Sequence, residues 1–239
     1  MGSGAIPESG EGTMLVKDRM TYDPTTVTTE TTLKDAIELI RSKPFRHLPV
    51  LDDSGNLVGV VTEKSLVYAA PTPITTLSIF EVDYVLSRVK IGQIAHRPVI
   101  TVEPDLPIEE AASIMVDNRI GCLPVVEDGK LVGIISDTDI FHVLVEGLGG
   151  GYPALRVTVV VPEEVGSLTR VTSRMAAIGA NIHSLGMFWD SGHKDRVVAL
   201  RLEGADRDAI VHALEEDGIE VVTVLEPAES PAPPRTTVS

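Results

Sequence analysis

Two heptads carry the residue types that could do recognition chemistry here, GVVTEKS at Gly59 to Ser65 and GIISDTD at Gly133 to Asp139. In the second, Ser136 places a hydroxyl beside the exposed backbone N–H groups of a predicted helix start, a combination that suits an anion. Gly133 allows a close backbone approach. Asp139 sits three residues on, one turn into that helix, where a carboxylate can accept from two hydroxyls at once. Each such charge-assisted bond is worth about 1.5–3 kcal/mol. The first heptad keeps Gly59 and Thr62 but carries Ser65 at the position of Asp139, and a serine supplies no carboxylate.

The segments that position these heptads are themselves duplicated. Val27 to Leu66 and Val102 to Ile140 align with one residue fewer in the second copy's turn, and Leu48-Pro49-Val50 falls on Leu123-Pro124-Val125. Thr32 predicts an N-cap with Asp35 three residues on, and Leu33, Ala36, Ile37 and Ile40 fall on one helical face. In the second copy Pro107 suits a first helical turn, Glu109 and Glu110 sit at its positive end, and Ile108, Ala111, Ala112 and Met115 form the stripe. HLPVL with LVGVVT, and CLPVV with LVGIIS, predict hairpins across DDSGN and EDGK turns. A further helix is expected after each heptad, from Ser65 onward and from Thr138 to Glu146. Each unit is too small to bury a core alone, so the two are expected to pack as one body.

From Met14 to Val145 the chain resembles the CBS-domain pair, or Bateman module, in which Gly-apolar-x-Ser/Thr-x-x-Asp binds adenosine nucleotides between paired repeats. The resemblance implies a site with Gly133, Ser136 and Asp139 matched in full, Asp139 holding the ribose. It implies a second, weak or altered site at Gly59, Thr62 and Ser65. A plainer reading leaves Ser65 only to cap the following helix. Thr26, Val27, Thr101 and Val102 match the segments that line the family's adenine pocket; edge-strand packing accounts for them equally well. The implied ligand is AMP, ADP or ATP, with S-adenosylmethionine also open, and no metal is implied.

A second region follows GLGGGYPA. LRVTVVV, a helix from Gly166 to Ile178, ANIHSLGMFW, RVVALRL, a helix from Asp206 to Asp217 and IEVVTVL give the order β-α-β-β-α-β. That order predicts a split β-α-β architecture, an antiparallel sheet with helices on one face. From Leu155 to about Leu225 the sequence looks like an ACT domain, on the strength of VVVPEEVGSLTRVTSRMAAIGANI. The resemblance implies an amino-acid pocket, usually at a subunit boundary, at Glu163, Gly166, Leu168, Asn181 and Ile182. Gly166 making room for a turn, and Asn181 in a left-handed turn, are the alternatives. The fold class is therefore α+β: tandem CBS repeats as one Bateman module, plus a ferredoxin-like ACT domain. The expected boundaries are 14–146 for the pair, 147–154 for a Gly-rich linker and 155–226 for the ACT-like domain, with tag-like residues 1–13 and a Pro-rich tail at 227–239 set aside.

Composition narrows the function classes. A net charge of -15 over 239 residues argues against a nucleic-acid surface, so an anionic ligand must find local cations, for which Lys17, Arg19, Arg46, Lys64, Lys90 and Arg119 are candidates. Cys122 is the only cysteine, which excludes an intrachain disulfide, and its context predicts a buried apolar role. The sequence has no phosphate loop, nucleophile elbow or paired-His metal motif. GGGYPA precedes a strand and reads as linker, and Asp190-Ser191-Gly192-His193 as a hairpin loop. No secretory signal or bilayer-length apolar run stands out, making a cytoplasmic location the default expectation. The overall order resembles the acetoin-utilisation accessory protein B group. That implies a regulator or accessory protein rather than an enzyme. The expected whole is a homodimeric, non-catalytic sensor acting on an unknown target protein, without nucleic acid or membrane. The competing reading is a constitutive interaction module with no small ligand.

Overall fold

The computed structural model describes residues 14–43, 45–71, 78–192 and 194–227 and divides the chain into two compact units, Met1–Ile140 and Phe141–Ser239. The tag-like segment 1–13, the tail after Pro227 and His193 lie outside the described residues.

In the first unit, α1 (Val16–Arg19) and β1 (Thr21–Tyr22) precede the first repeat, which runs β2 (Val27–Thr28), α2 (Leu33–Ser42), β3 (His47–Leu51), β4 (Leu57–Thr62) and α3 (Glu63–Ala69). The Thr32 hydroxyl accepts from the Asp35 N–H at 3.1 Å and so caps α2, which buries Leu33, Ala36 and Ile40 against Leu48, Val50, Val61 and Leu66. Asp52 ties the hairpin turn, accepting from the N–H groups of Ser54 and Asn56 at 2.9 and 2.8 Å. Those bonds hold its carboxyl below the ordinary value, the Asn56 backbone bond contributing most.

A connecting helix, α4 (Ile79–Arg88), and a 3-10 turn (Ile91–Gln93) lead to the second repeat: α5 (Ile108–Asn118), β5 (Cys122–Glu127), β6 (Lys130–Ser136) and α6 (Asp137–Gly147). Three expected helix starts move. Pro107 is the N-cap rather than a first-turn residue, α3 opens at Glu63 because Thr62 caps it, and α6 opens at Asp137.

The two repeats exchange their leading segments. β1 pairs with β6 of the other repeat, Thr21 opposite Ile134 and Tyr22 opposite Gly133. The equivalent residue ahead of the second repeat, His96, bridges Val60 in β4, exchanging N–H···O bonds of 2.9 and 3.4 Å. Val27 opposite Val50 and Val102 opposite Val125 repeat one another in the same way. The glycines shared by the two heptads serve this exchange. A Cβ at Gly59 would lie 2.8 Å from Ala95 Cβ, and one at Gly133 would overlap the Met20 sulfur. The room beside each glycine, expected to admit a ligand, is occupied by the chain's own crossed-over segment.

The second unit is β7 (Leu155–Pro162), α7 (Ser167–Ala177), β8 (Asn181–Trp189), β9 (Asp195–Glu203), α8 (Arg207–Glu215) and β10 (Glu220–Leu225). Its sheet has the order β10-β7-β9-β8 with every pairing antiparallel, the split β-α-β arrangement expected from the element order. Alternate residues Val157, Val159, Val161, Val198, Leu200 and Leu202 pack with Val171, Met175, Ile210 and Leu214 in its core. Gly166 (φ 91°) turns the chain into α7, and Asp206 caps α8 through the Ala209 N–H at 2.8 Å. The left-handed position before β8 belongs to Gly179 (φ 74°), whereas Asn181 is already strand, which removes the left-handed reading of Asn181.

Residues 147–154, expected as a linker, are tied to this unit. Arg201 donates to the carbonyls of Leu148 and Tyr152 at 3.3 and 3.2 Å, Tyr152 stacks on His183, and the Tyr152 hydroxyl donates to Glu203 at 2.9 Å.

Candidate nucleotide site between the repeats

Both heptads end in the same local device. In the first, the Thr62 N–H donates to Ser65 Oγ at 2.8 Å and the Ser65 N–H donates to Thr62 Oγ1 at 3.1 Å, a reciprocal capping box at the start of α3. In the second, the N–H and hydroxyl of Ser136 both donate to Asp139 Oδ2, at 2.8 and 2.7 Å. Ser65 and Asp139 thus occupy the same helical position and both reach back to the residue that begins the turn.

The exchange of leading segments brings each heptad beside the start of the other repeat. At the first heptad this forms a cavity of about 960 Å³. Thr62 and Ser65 line one wall, and His96, Pro98, Val99 and Ile100 from the segment ahead of the second repeat line another. Arg119 to Gly121, between α5 and β5, and Cys122 at the start of β5 close it with His47. Three cationic side chains border the space, Arg46, Lys64 and Arg119, with Glu63 and Asp137 as its acidic neighbours. A chain of strongly negative net charge therefore gathers three of its cations where an anion could sit. Of the other candidate cations, Lys17 is paired with Asp105 at 2.5 Å and the Lys90 ammonium donates to the Glu30 carbonyl at 2.8 Å.

Burial governs the two remaining reactive side chains. It pushes the Cys122 thiol up to about 12, the nearby Asp137 carboxylate adding to the effect, so Cys122 is a packed apolar group and no nucleophile. It lowers the pKa of His47, with Asp137 pulling the other way.

Of the ten residues expected at the nucleotide sites, Thr62 and Ser65 line this cavity. Gly59 and Gly133 lie behind the heptads under the exchanged segments. Ser136 and Asp139 sit together at the start of α6. Val27, in β2, and Val102, in an isolated bridge to Val125, are buried, with Thr26 and Thr101 just ahead of them. His47, the 96–100 segment, Tyr68 and Asp137 were not anticipated. Their signal was the duplication itself, which places His47 and Cys122 at equivalent positions, once the exchange of segments is allowed for.

The five ACT-like positions do not converge within one chain. Glu163 pairs with Arg196, whose guanidinium lies 3.5 Å over the Trp189 ring. Asn181 donates to Glu203 at 3.1 Å. Register puts Pro162 opposite Asp195 at one end of β9 and Asn181 opposite Glu203 at the other, so Glu163 and Gly166 lie a full strand length, roughly 25 Å, from Asn181 and Ile182. Leu168 and Ile182 pack against the core.

Two repeats with exchanged leading segments and a cation-bordered cavity between them define a paired-repeat module, here followed by a split β-α-β unit. The CBS domain family matches at residues 16–71 and 91–146, and a CBS domain-containing protein of Dictyostelium discoideum is 30% identical over 136 residues, covering 56% of this chain and 94% of that one. The chain belongs to the CBS-domain family. Among solved structures, AcuB from Vibrio cholerae is 31% identical over 55% of this chain and 90% of that one, with a TM-score of 0.46. CBSX2, solved in complex with AMP, is 27% identical over 55% of this chain and 96% of that one, also with a TM-score of 0.46. Among the described residues, no helix is long and apolar enough to cross a membrane, and no group of three His, Cys, Asp or Glu side chains could hold a metal ion.

Proposed function

We propose that the chain is a non-catalytic regulatory sensor in which an adenosine nucleotide binds between the CBS repeats. The observation that carries this reading is the 960 Å³ cavity joining the first heptad to the leading segment of the second repeat, bordered by Arg46, Lys64 and Arg119. A ligand there touches both repeats at once, so its affinity depends on how they are set against each other, and binding biases that arrangement. Thr62 and Ser65 belong to this site, with Gly59 behind them under the exchanged segment. Ser136 and Asp139, backed by Gly133, belong to its pseudo-symmetric counterpart, where Asp139 supplies the ribose acceptor that Ser65 lacks.

The ACT-like second unit would serve dimerisation and, with it, amino-acid binding. Glu163 and Gly166 of one copy can meet Asn181 and Ile182 only across a second copy, so an amino-acid pocket requires a homodimer. Isothermal titration of the whole chain with adenosine, AMP, ADP, ATP and S-adenosylmethionine tests the sensor reading. Saturable binding of at least one of them, with an upward shift in unfolding temperature, is expected. Failure of the whole panel would leave the constitutive interaction module as the better account.

A further inference from the structure

β7 and β9 are the two central strands of the second unit's sheet, and their register sets Arg156 directly opposite Arg201. Their neighbours Leu155, Val157, Leu200 and Leu202 fill the helix-covered core, so both guanidiniums stand on the open face. Like charges directly opposite one another on adjacent strands destabilise a sheet. Among the described residues, no carboxylate lies within ion-pair distance of either one. Arg156 Nη1 donates to Thr158 Oγ1 at 2.9 Å, and Arg201 uses Nε and Nη1 on main-chain carbonyls. Neither Nη2 has a partner in these bonds.

A groove of about 290 Å³ lies against this pair. Leu144, Val145 and Leu148 form one wall, and Phe188 and Ala199 line it from the sheet. The row of the sheet next to the arginines is small, Thr158 and Gly186 flanking Ala199, which leaves depth beside the charges. Leu148 rests on Gly186, where a Cβ would stand 2.5 Å from its methyl group. Among the described residues, no acidic side chain lines the groove.

We propose that this groove binds a small carboxylate with a short branched apolar tail, its head between Arg156 and Arg201 and its tail against Leu144, Val145 and Phe188. The anion would relieve the repulsion between the two guanidiniums, and the volume sits near the lower end of small-molecule pockets, about 300 Å³. The lining also sets a preference. An α-amino acid brings an ammonium that meets two like charges and no carboxylate among the described lining residues, so the corresponding acid or 2-oxo acid binds better. Inorganic phosphate satisfies the arginines but leaves the apolar wall empty.

Isothermal titration of the full chain with isovalerate, 2-oxoisovalerate, valine and inorganic phosphate tests this. Saturable binding of the two acids is expected, with valine and phosphate at least tenfold weaker. Arg156→Gln and the groove-filling Ala199→Leu should each weaken the acids at least tenfold, while Asn181→Ala and Asp139→Ala leave them unchanged. If Arg156→Gln fails to fold, Ala199→Leu decides alone. No saturation by either acid at concentrations on the order of 10 mM overturns the site. Preference for valine, or for phosphate, overturns the ligand class.

Discussion

The two heptads fold alike and differ in what they leave over. Thr62–Ser65 and Ser136–Asp139 each close a bond from the last position back to the first N–H of the turn, at the same 2.8 Å. A serine hydroxyl does this as well as a carboxylate does, so the first repeat shows that the cap itself does not require Asp139. In the second repeat Oδ2 takes both bonds from Ser136, and the other carboxylate oxygen is not part of the cap. The proposed ribose contact would give that charge, which the cap can do without, a use. The first repeat has positive charge around its cavity instead, from Arg46, Lys64 and Arg119.

The sharpest contrast is expected at the glycines. Gly59→Ala pushes a Cβ against Ala95, whose side chain cannot move aside, whereas Gly133→Ala meets the flexible end of Met20. Denaturant unfolding should show a loss of about 2–3 kcal/mol for Gly59→Ala and about 1 kcal/mol for Gly133→Ala. Ala95→Gly should restore most of the first. Equal losses at both would mean that the exchange packs no more tightly at one repeat than at the other.

Ligand binding gives the next effect. Asp139→Ser copies the first repeat's cap and should leave the unfolding midpoint nearly unchanged while weakening adenosine-nucleotide affinity ten- to a hundredfold, about 1.4–2.8 kcal/mol. Ser65→Asp should strengthen a second site in the same titration. Two equally tight sites in the unaltered chain would show that the carboxylate matters at neither. Arg119→Gln should reduce affinity for ATP several-fold and for adenosine hardly at all, with the difference shrinking in added salt.

The smallest effect is in pH. The native pKa of His47 is lowered by burial, so near and below the ordinary histidine value of 6.5 the unfolded chain binds the proton more readily than the native one. Stability therefore falls as pH drops through 6.5 toward the lowered native value, and is fully retained above 6.5. His47→Gln should remove that part of the acid loss, measured as unfolding midpoints between pH 7 and pH 5. An unchanged pH profile would mean that His47 is hydrated in the native state.

Much of this was legible in the sequence because duplication reports on itself. The hairpins, the α2 cap at Thr32 and the split β-α-β order all follow from local pattern, and local bonds such as Thr32 with Asp35 confirm them. Helix α4 is legible too, since Ser78 and Glu81 form a capping box of the recognised spacing. The segment exchange was not legible. β1 is two residues long and exists only because β6 offers it an edge more than a hundred residues away, and no periodicity can encode that. For the same reason the residues ahead of each repeat were assigned no partner, and the 96–100 segment was missed as a cavity wall. The Arg156–Arg201 pair is hidden differently, since its meaning depends on register rather than on either residue's neighbours in sequence.

The pairing of Thr21 and Tyr22 with Ile134 and Gly133 also fixes an order of events during synthesis. Roughly a hundred residues must leave the ribosome before β1 has a strand to join, which at about 5–20 residues per second is a wait of roughly 5–20 s. Over that interval the nascent first repeat holds Val16 and Met20, both buried in the finished fold, with no partner to cover them. A stop or a pause between the repeats would thus release a chain with exposed apolar side chains and an unpaired edge, the form in which chaperones would meet it.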